Sequence, residues 1–203
     1  MSSSLTDTPA WRGFCLRAAD DLSLLDSGEA ALSDVLVPLP GGTRADAERR
    51  YAAVAEHMAD LFGSLAGMRV VELGGGYGGQ ASVLLELFDL AAYSIIDLPE
   101  PNALQEAYLA KRIGYELEPF SPLNEAYDLA VSNYALTELR RPFQEQYARE
   151  LARCRFGYIT CNGFTTGELD QAELEALLPA HAEHAPAVKP SNPRCTVVYW
   201  RPQ

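Results

Sequence analysis

The sequence predicts an α/β fold, a mostly parallel sheet with helices on both faces. Three observations carry that prediction. From Met68 onward, short apolar runs rich in Val, Ile and Tyr alternate with helical segments of about a dozen residues, the pattern of βαβ crossovers. The strand candidates are continuous apolar runs, as strands buried on both faces require. A glycine-rich turn, "GGGYGG", falls directly between the first strand and the helix after it.

The size and charge of the chain set the frame for these elements. With 203 residues, 48% of them hydrophobic, the chain can bury the core of one good-sized domain. A formal net charge of −12 argues against wrapping nucleic acid or docking on anionic lipid. No run approaches the length of a membrane span. The opening "MSSSLTDTPAWRGF" lacks the basic-then-apolar order of a secretory signal, and Cys15, Cys154, Cys161 and Cys195 are scattered without a C-x-x-C. The expectation is a cytoplasmic protein with reduced thiols.

In chain order, residues 1–42 read as an N-terminal helical extension or lid, and 43–203 as the α/β domain. Trp11, Phe14, Ala18, Leu22 and Leu25 recur at spacings of three and four, an amphipathic helix that either closes over a site or docks on a second copy in a homodimer. "VPLPGGT" is a turn. Thr43 and Asp46 form a T-x-x-D cap, and Ala47, Tyr51, Val54, Met58, Leu61 and Leu65 then lay one apolar stripe along a helix ended by Gly67. "MRVVEL" is the first strand, "QASVLLELFDL" a helix, "AYSIID" a strand, and "NALQEAYLAKRIG" a helix closed by Gly114. "YELEPF" reads as a short strand and "YDLAVSNY" as a longer one. The stripe Phe143, Tyr147, Leu151, Cys154 makes a helix before the strand "FGYITCN". A helix, "DQAELEALL", precedes the closing strand "CTVVYW".

In open α/β sheets ligands bind beyond the carboxyl ends of the strands, and Gly74 to Gly79 lies at the first such end. Glycine permits positive φ and close approach of a ligand, and the following helix offers unpaired N–H groups. A turn that merely packs helix on strand is the plainer alternative. Two chemistries fit the spacing. Gly74, Gly76 and Gly79 satisfy G-x-G-x-x-G, with Asp97 placed where the ribose-binding acid of a dinucleotide site belongs. Glu72, Gly74, Gly76 and Gly78 satisfy E-x-G-x-G-x-G, which resembles motif I of class I S-adenosylmethionine-dependent methyltransferases.

Three features favour the second pattern. A carboxylate at Glu72 suits the cationic amino-acid end of S-adenosylmethionine and would repel a pyrophosphate. A long helical stretch precedes the first strand, whereas nucleotide-binding dehydrogenases often open with it. The short chain beyond Asn162 leaves no room for a substrate domain of ordinary size. Together with "IIDLPEP", "YDLAVSNYALTEL", "FGYITCN" and "VVYW", the sequence from about Gly42 to Trp200 is similar to a family of sugar O-methyltransferases. The resemblance implies a Rossmann-like, mostly parallel sheet with an antiparallel C-terminal strand, S-adenosyl-L-methionine as cofactor, and a sugar or glycan hydroxyl as acceptor. It implies that Asp97 accepts hydrogen bonds from the two ribose hydroxyls and that Leu98 lies against the adenine.

Gly74, Gly76 and Gly78 are then expected to hold the cofactor with Glu72 near its amino group, and Tyr77 to project over its methionine portion or pack under the next helix. Ser132 and Asn133, at the end of "DLAVSN", are expected to line its other side. Glu138 is the candidate acid or base for the acceptor hydroxyl; the alternative is a solvated carboxylate near a helix start. Tyr134 either stacks on the acceptor or packs in the core, and Asn162 either binds an acceptor hydroxyl or closes a turn. Gln105 reads as a surface or capping residue, Phe120 and Ser121 as a candidate adenine contact, and His57 as a boundary histidine. His181 and His184 form H-x-x-H, but a metal site needs three or four converging ligands, and no metal is expected; were one present, Glu138 would be a ligand. Three rivals remain: an NAD-dependent oxidoreductase, a non-catalytic methyltransferase-like binding module, and an O-methyltransferase of aromatic natural products.

Overall fold

The computed structural model describes residues 44–118, 127–162, 169–188 and 194–203. The 1–42 extension, with the helix expected over Trp11–Leu25, Thr43 of the expected cap, Phe120, Ser121 and Cys15 lie outside the described residues.

Helix α1 (Arg44–Phe62) carries the apolar stripe into the core, where Ala47, Val54 and Met58 are buried. It ends one turn earlier than the sequence predicts. Gly63, at φ +77°, takes the left-handed conformation that stops a helix and donates its N–H to the Ala59 carbonyl at 2.8 Å. Gly67 instead turns the chain into strand β1 (Arg69–Leu73). Then follow α2 (Gly79–Leu87), β2 (Ala92–Ile96) and α3 (Pro99–Ile113), which starts on a proline and closes on Gly114 at φ +67°. Next come β3 (Leu129–Asn133), the short α4 (Ala135–Glu138), α5 (Arg141–Leu151) and β4 (Phe156–Cys161). Helix α6 (Gln171–Glu175) begins with a reciprocal box between Asp170 and Glu173, and β5 (Glu183–Pro186) and β6 (Thr196–Trp200) end the fold.

The six strands form one sheet in the order β2-β1-β3-β4-β6-β5. β1 pairs in parallel with β2 and β3, and β3 with β4; β6 runs antiparallel to β4, and β5 antiparallel to β6. This is the Rossmann-like sheet that the alternation predicts. Alternate strand residues enter two separate cores: Val70 and Tyr158 join Met58, Leu84 and Leu109 on one face, while Val71 and Ile159 join Leu136, Leu151 and Leu174 on the other. Burial on both faces is why the strands read as continuous apolar runs. Across the β4–β6 pair the Trp200 indole packs against Gly157, where a β-carbon would come within 2.1 Å of Cζ2, and its Nε1 donates to the Cys154 carbonyl at 2.9 Å.

Two elements differ from the sequence prediction. Residues 115–118 of "YELEPF" form no strand; the Tyr115 hydroxyl accepts the Tyr93 N–H at 2.8 Å, and one backbone bond, Glu118 N–H to the Tyr93 carbonyl, follows at 3.2 Å. A side chain thus occupies the donor a strand ladder would use. Conversely, "EHAP", between the last predicted helix and the closing strand, is edge strand β5, where a terminal proline is tolerated. His184 there pairs with Glu175 at 3.2 Å. Cys154, Cys161 and Cys195 are buried and free, and burial pushes the Cys154 and Cys161 thiols up to about 12. Among the described residues no helix is long and apolar enough to cross a membrane.

Candidate active site

A cleft of about 280 Å³ opens beyond the carboxyl ends of β1, β2, β3 and β4, beside the point where the strand order reverses around β1. The glycine loop forms its floor, each glycine for its own reason. Gly74 continues the ladder by donating to the Ile96 carbonyl at 2.9 Å, at φ +77°, and a β-carbon there would lie 2.1 Å from Ala135 Cβ. A β-carbon on Gly75 would meet Ile95 Cγ2 at 2.8 Å. Gly76, at φ +59°, has nothing within 4 Å of its β-carbon position. The loop is therefore pressed against β2 and α4 on its protein side and left open at Gly76, where a ligand can approach the backbone.

Two carboxylates flank that opening on adjacent strand ends. Glu72 is 1% exposed and accepts the Tyr93 hydroxyl at 2.9 Å. Burial pushes its carboxyl up to about 8, the Tyr93 hydrogen bond opposing and the Asp97 charge adding to the rise. Asp97 follows β2. Burial pushes it up to about 6, against hydrogen bonds from the Leu98 N–H, Gln105 and the Gly75 N–H. Acids desolvated at the edge of a cleft favour a ligand that brings positive charge and hydroxyl donors. The residues present thus fit S-adenosylmethionine: Glu72 faces where an ammonium would be held, Asp97 where ribose hydroxyls would be, and Gly76 leaves the intervening space.

The other wall comes from the ends of β3 and β4. Asn133 Oδ1 accepts the Thr160 hydroxyl at 2.9 Å, and Asn133 Nδ2 reaches Gln80 Oε1 at 3.5 Å. Tyr134 has φ +73°, the one positive φ at a non-glycine among the described residues. Such strain persists where the surroundings over-determine it. Its N–H donates to the Thr160 carbonyl at 2.9 Å, and its carbonyl accepts the Thr137 N–H at 3.0 Å. The Thr137 hydroxyl sits between the Tyr134 carbonyl, at 2.9 Å, and Asn162 Oδ1. Asn162 Nδ2 in turn donates to Glu138 Oε1 at 2.8 Å. Glu138 stands at the cleft mouth, where partial burial raises its carboxyl above the ordinary range and the Asn162 bond opposes the rise. Tyr134, Glu138 and Asn162 are thus linked through Thr137; Tyr134 and Glu138 line the cleft and Asn162 does not.

Besides Asn162, four expected residues lie outside the cleft lining. Tyr77 does not project into the cleft; its ring is buried edge-on between Tyr51, at 6.0 Å, and Tyr108, at 5.1 Å. Gly78, at φ +94°, starts α2 and faces Tyr108, whose Cδ1 lies 3.3 Å from its β-carbon position. Ser132 is fully buried, and its hydroxyl joins two backbones, donating to the Leu73 carbonyl at 3.2 Å and accepting the Leu136 N–H at 3.1 Å. Leu98 precedes α3 half-buried, its N–H on Asp97 Oδ1 at 2.9 Å, and is not part of the cleft wall.

The cleft also contains residues that the sequence reading missed. Arg50, Tyr51 and Val54 of α1 line it, with the Arg50 guanidinium 5.4 Å from the Tyr51 ring centroid. Tyr51 and Val54 belong to the apolar stripe; nothing in the stripe tells where α1 overhangs the strand ends. Gln80 was the better signal, an amide in the first turn of α2, buried and donating to the Tyr51 carbonyl at 3.2 Å. Gln105 is neither on the surface nor a cap: it is fully buried. His57 is half-buried at the boundary of α1, its Nδ1 3.0 Å from the Tyr158 hydroxyl, and burial lowers its pKa. Among the described residues no three His, Cys, Asp or Glu side chains cluster as metal ligands.

The sheet, its flanking helices and the antiparallel C-terminal strands form a Rossmann-like fold that solved methyltransferase structures share. The chain superposes on a structure from the complex between the Haloferax volcanii Trm112 methyltransferase activator and a methyltransferase (TM-score 0.60, 14% identity, 92% of this chain and 96% of that one). It matches magnesium protoporphyrin IX methyltransferase ChlM of Synechocystis PCC 6803 with bound SAM (TM-score 0.60, 14% identity, 77% and 79%). The N-terminal domain of EvdMO1, solved in the presence of SAH and D-fucose, matches with a TM-score of 0.55 at 16% identity over 76% and 84%. At such identities the likeness is one of fold. No protein-family model matches the sequence, and neither does any curated protein.

Proposed function

We propose that this protein is an S-adenosylmethionine-dependent methyltransferase that methylates a hydroxyl of a sugar or glycan precursor. The observation that carries the reading is the pair of carboxylates, Glu72 and Asp97, on adjacent strand ends either side of the open face of Gly76. A buried acid at Glu72 disfavours the pyrophosphate of a dinucleotide, so the oxidoreductase reading falls behind. The fold neighbours solved with SAM or SAH support the cofactor, and the neighbour solved with D-fucose supports the acceptor class.

When bound, S-adenosylmethionine supplies a methyl group already activated by its sulfonium. The residues of this chain then have two tasks. Glu72, Gly74, Gly76, Asp97 and Asn133 hold the cofactor in the cleft, which aligns the reactants and supplies much of the rate enhancement. On the opposite wall Tyr134 offers an aromatic face to the acceptor, and Glu138 Oε2, with Oε1 held by Asn162, takes the proton that leaves the acceptor hydroxyl. A cytoplasmic setting supplies the cofactor and keeps Cys154, Cys161 and Cys195 as thiols.

Isothermal titration with S-adenosylhomocysteine and, separately, NADH tests the cofactor. Binding of S-adenosylhomocysteine that is lost in Asp97→Ala is expected; NADH binding without it overturns the reading. On the acceptor side, Glu138→Gln is expected to lower kcat by about 10²-fold or more while leaving S-adenosylhomocysteine affinity unchanged. An unchanged kcat with a cognate acceptor would remove Glu138 from the proton transfer.

A further inference from the structure

Gln105, in α3, has no exposed surface. Its Nε2 donates to Asp97 Oδ2 and to the Gly76 carbonyl, both at 2.9 Å. Its own Oε1 is buried without a partner. Turning the amide over would set that oxygen against two acceptors, so the orientation is fixed by the groups it meets. Buried amides in native structures are ordinarily satisfied at both ends. Here one end is left unpaired while the other joins the two strand-end loops on either side of the cleft. Leu104, Tyr108 and Leu109 of the same helix are core residues, so Gln105 brings an amide into an otherwise apolar helix face.

We propose that Gln105 is the positioning residue of the nucleoside subsite: its amide nitrogen ties the Asp97 carboxylate to the glycine-loop carbonyl, presenting a fixed carboxylate edge to the vicinal hydroxyls of a ribose. The inference rests on the methyltransferase reading and adds to it a residue outside the motifs. With Oδ1 held by the Leu98 N–H at 2.9 Å, Oδ2 held by Gln105 and the Gly75 N–H on the same carboxylate, the group cannot rotate freely, yet a lone pair is left for a ribose hydroxyl. Ordering the acceptor group beforehand lowers the entropy lost on binding. The same amide fixes the separation between the β1 and β2 ends, and so the distance between the places where the two ends of the cofactor are held.

Gln105→Met keeps the volume and removes the amide, and so removes the tie between Asp97 and Gly76. Titration with S-adenosylhomocysteine is expected to show Kd raised at least about tenfold, the loss of a charge-assisted hydrogen bond and its alignment. Thermal unfolding of the ligand-free variant is expected to show a lower Tm, because the Asp97 carboxylate and the Gly76 carbonyl lose their shared donor, so titration is made well below that Tm. A Kd within about twofold of the unsubstituted protein overturns the inference. In the unsubstituted protein, nuclear magnetic resonance is expected to find the Gln105 amide protons protected from exchange and shifted by S-adenosylhomocysteine; rapid exchange overturns the inference without any variant. Failure of the unsubstituted protein to bind S-adenosylhomocysteine overturns the cofactor reading and this inference with it, whereas binding that Gln105→Met leaves intact overturns the inference alone.

Discussion

Gly74→Ala is expected to destabilise the protein by about 2–4 kcal/mol and to abolish S-adenosylhomocysteine binding. Two independent penalties meet at this position. A β-carbon at φ +77° is strained wherever it sits, by about 1–2 kcal/mol. The added methyl would also lie 2.1 Å from Ala135 Cβ, and neither group can give way cheaply, since one belongs to the ladder-bonded end of β1 and the other to the first turn of α4. Relief of that overlap must move α4, and with it Tyr134 and Glu138 on the opposite wall. Urea unfolding and calorimetric titration check both parts. Adding Ala135→Gly to the variant should recover the share due to overlap and leave the share due to φ, so the double variant should fall between the two parents in stability. A single variant within about 0.5 kcal/mol of the unsubstituted protein would contradict the account.

Glu72→Gln is expected to stabilise the ligand-free protein at pH 8 and to weaken its binding of S-adenosylhomocysteine. The Glu72 carboxyl stands at about 8 in the folded protein against an ordinary value of 4.5. The folded state therefore binds the proton more tightly than the unfolded chain. Its contribution is fully present below 4.5 and is lost as pH rises through that window to about 8. Glutamine cannot ionise and can still accept the Tyr93 hydroxyl through Oε1, so that hydroxyl keeps its acceptor. The stability difference between variant and unsubstituted protein should grow, in favour of the variant, by about 3 kcal/mol from pH 5 to pH 8. Asp97, pushed up to about 6, contributes with the same sign in both proteins. Binding should move the other way, because a neutral amide offers no charge to an ammonium. Chemical unfolding at the two pH values, paired with titration, separates these effects; a variant less stable at pH 8 would show that Glu72 is ionised and compensated in the free protein.

Much of the fold was legible because the signals that place it are local. Val70 and Val71 entering opposite cores explains the continuous apolar run of β1, and the left-handed Gly114 ends α3 where the sequence places it. The carboxylate–glycine pattern also located the cleft, since a loop of that composition after a buried strand can lie only at the strand's carboxyl end. Tyr77 and Ser132 show the limit of that logic. Both lie in the stretches the motifs marked, yet Tyr77 packs between Tyr51 and Tyr108, and the Ser132 hydroxyl joins the end of β1 to the start of α4. Position in a motif fixes where the backbone runs; the direction of a side chain depends on what the neighbouring helices leave unfilled.

The sequence by itself determined the α/β class, the parallel order implied by its crossovers, and the presence of Glu72, Gly74, Gly76 and Asp97 at one end of the sheet. Periodicity, glycine conformation and the fixed direction of a crossover are properties of neighbouring residues, and they survive without knowledge of the rest of the chain. Only the tertiary structure decided that Tyr115 supplies a hydroxyl where a strand was expected, that α1 brings Arg50 and Tyr51 over the cleft, and that Gln105 reaches both Asp97 and Gly76. Those pairings join residues far apart in sequence, and their geometry follows from how helices pack on a twisted sheet, which no local pattern records.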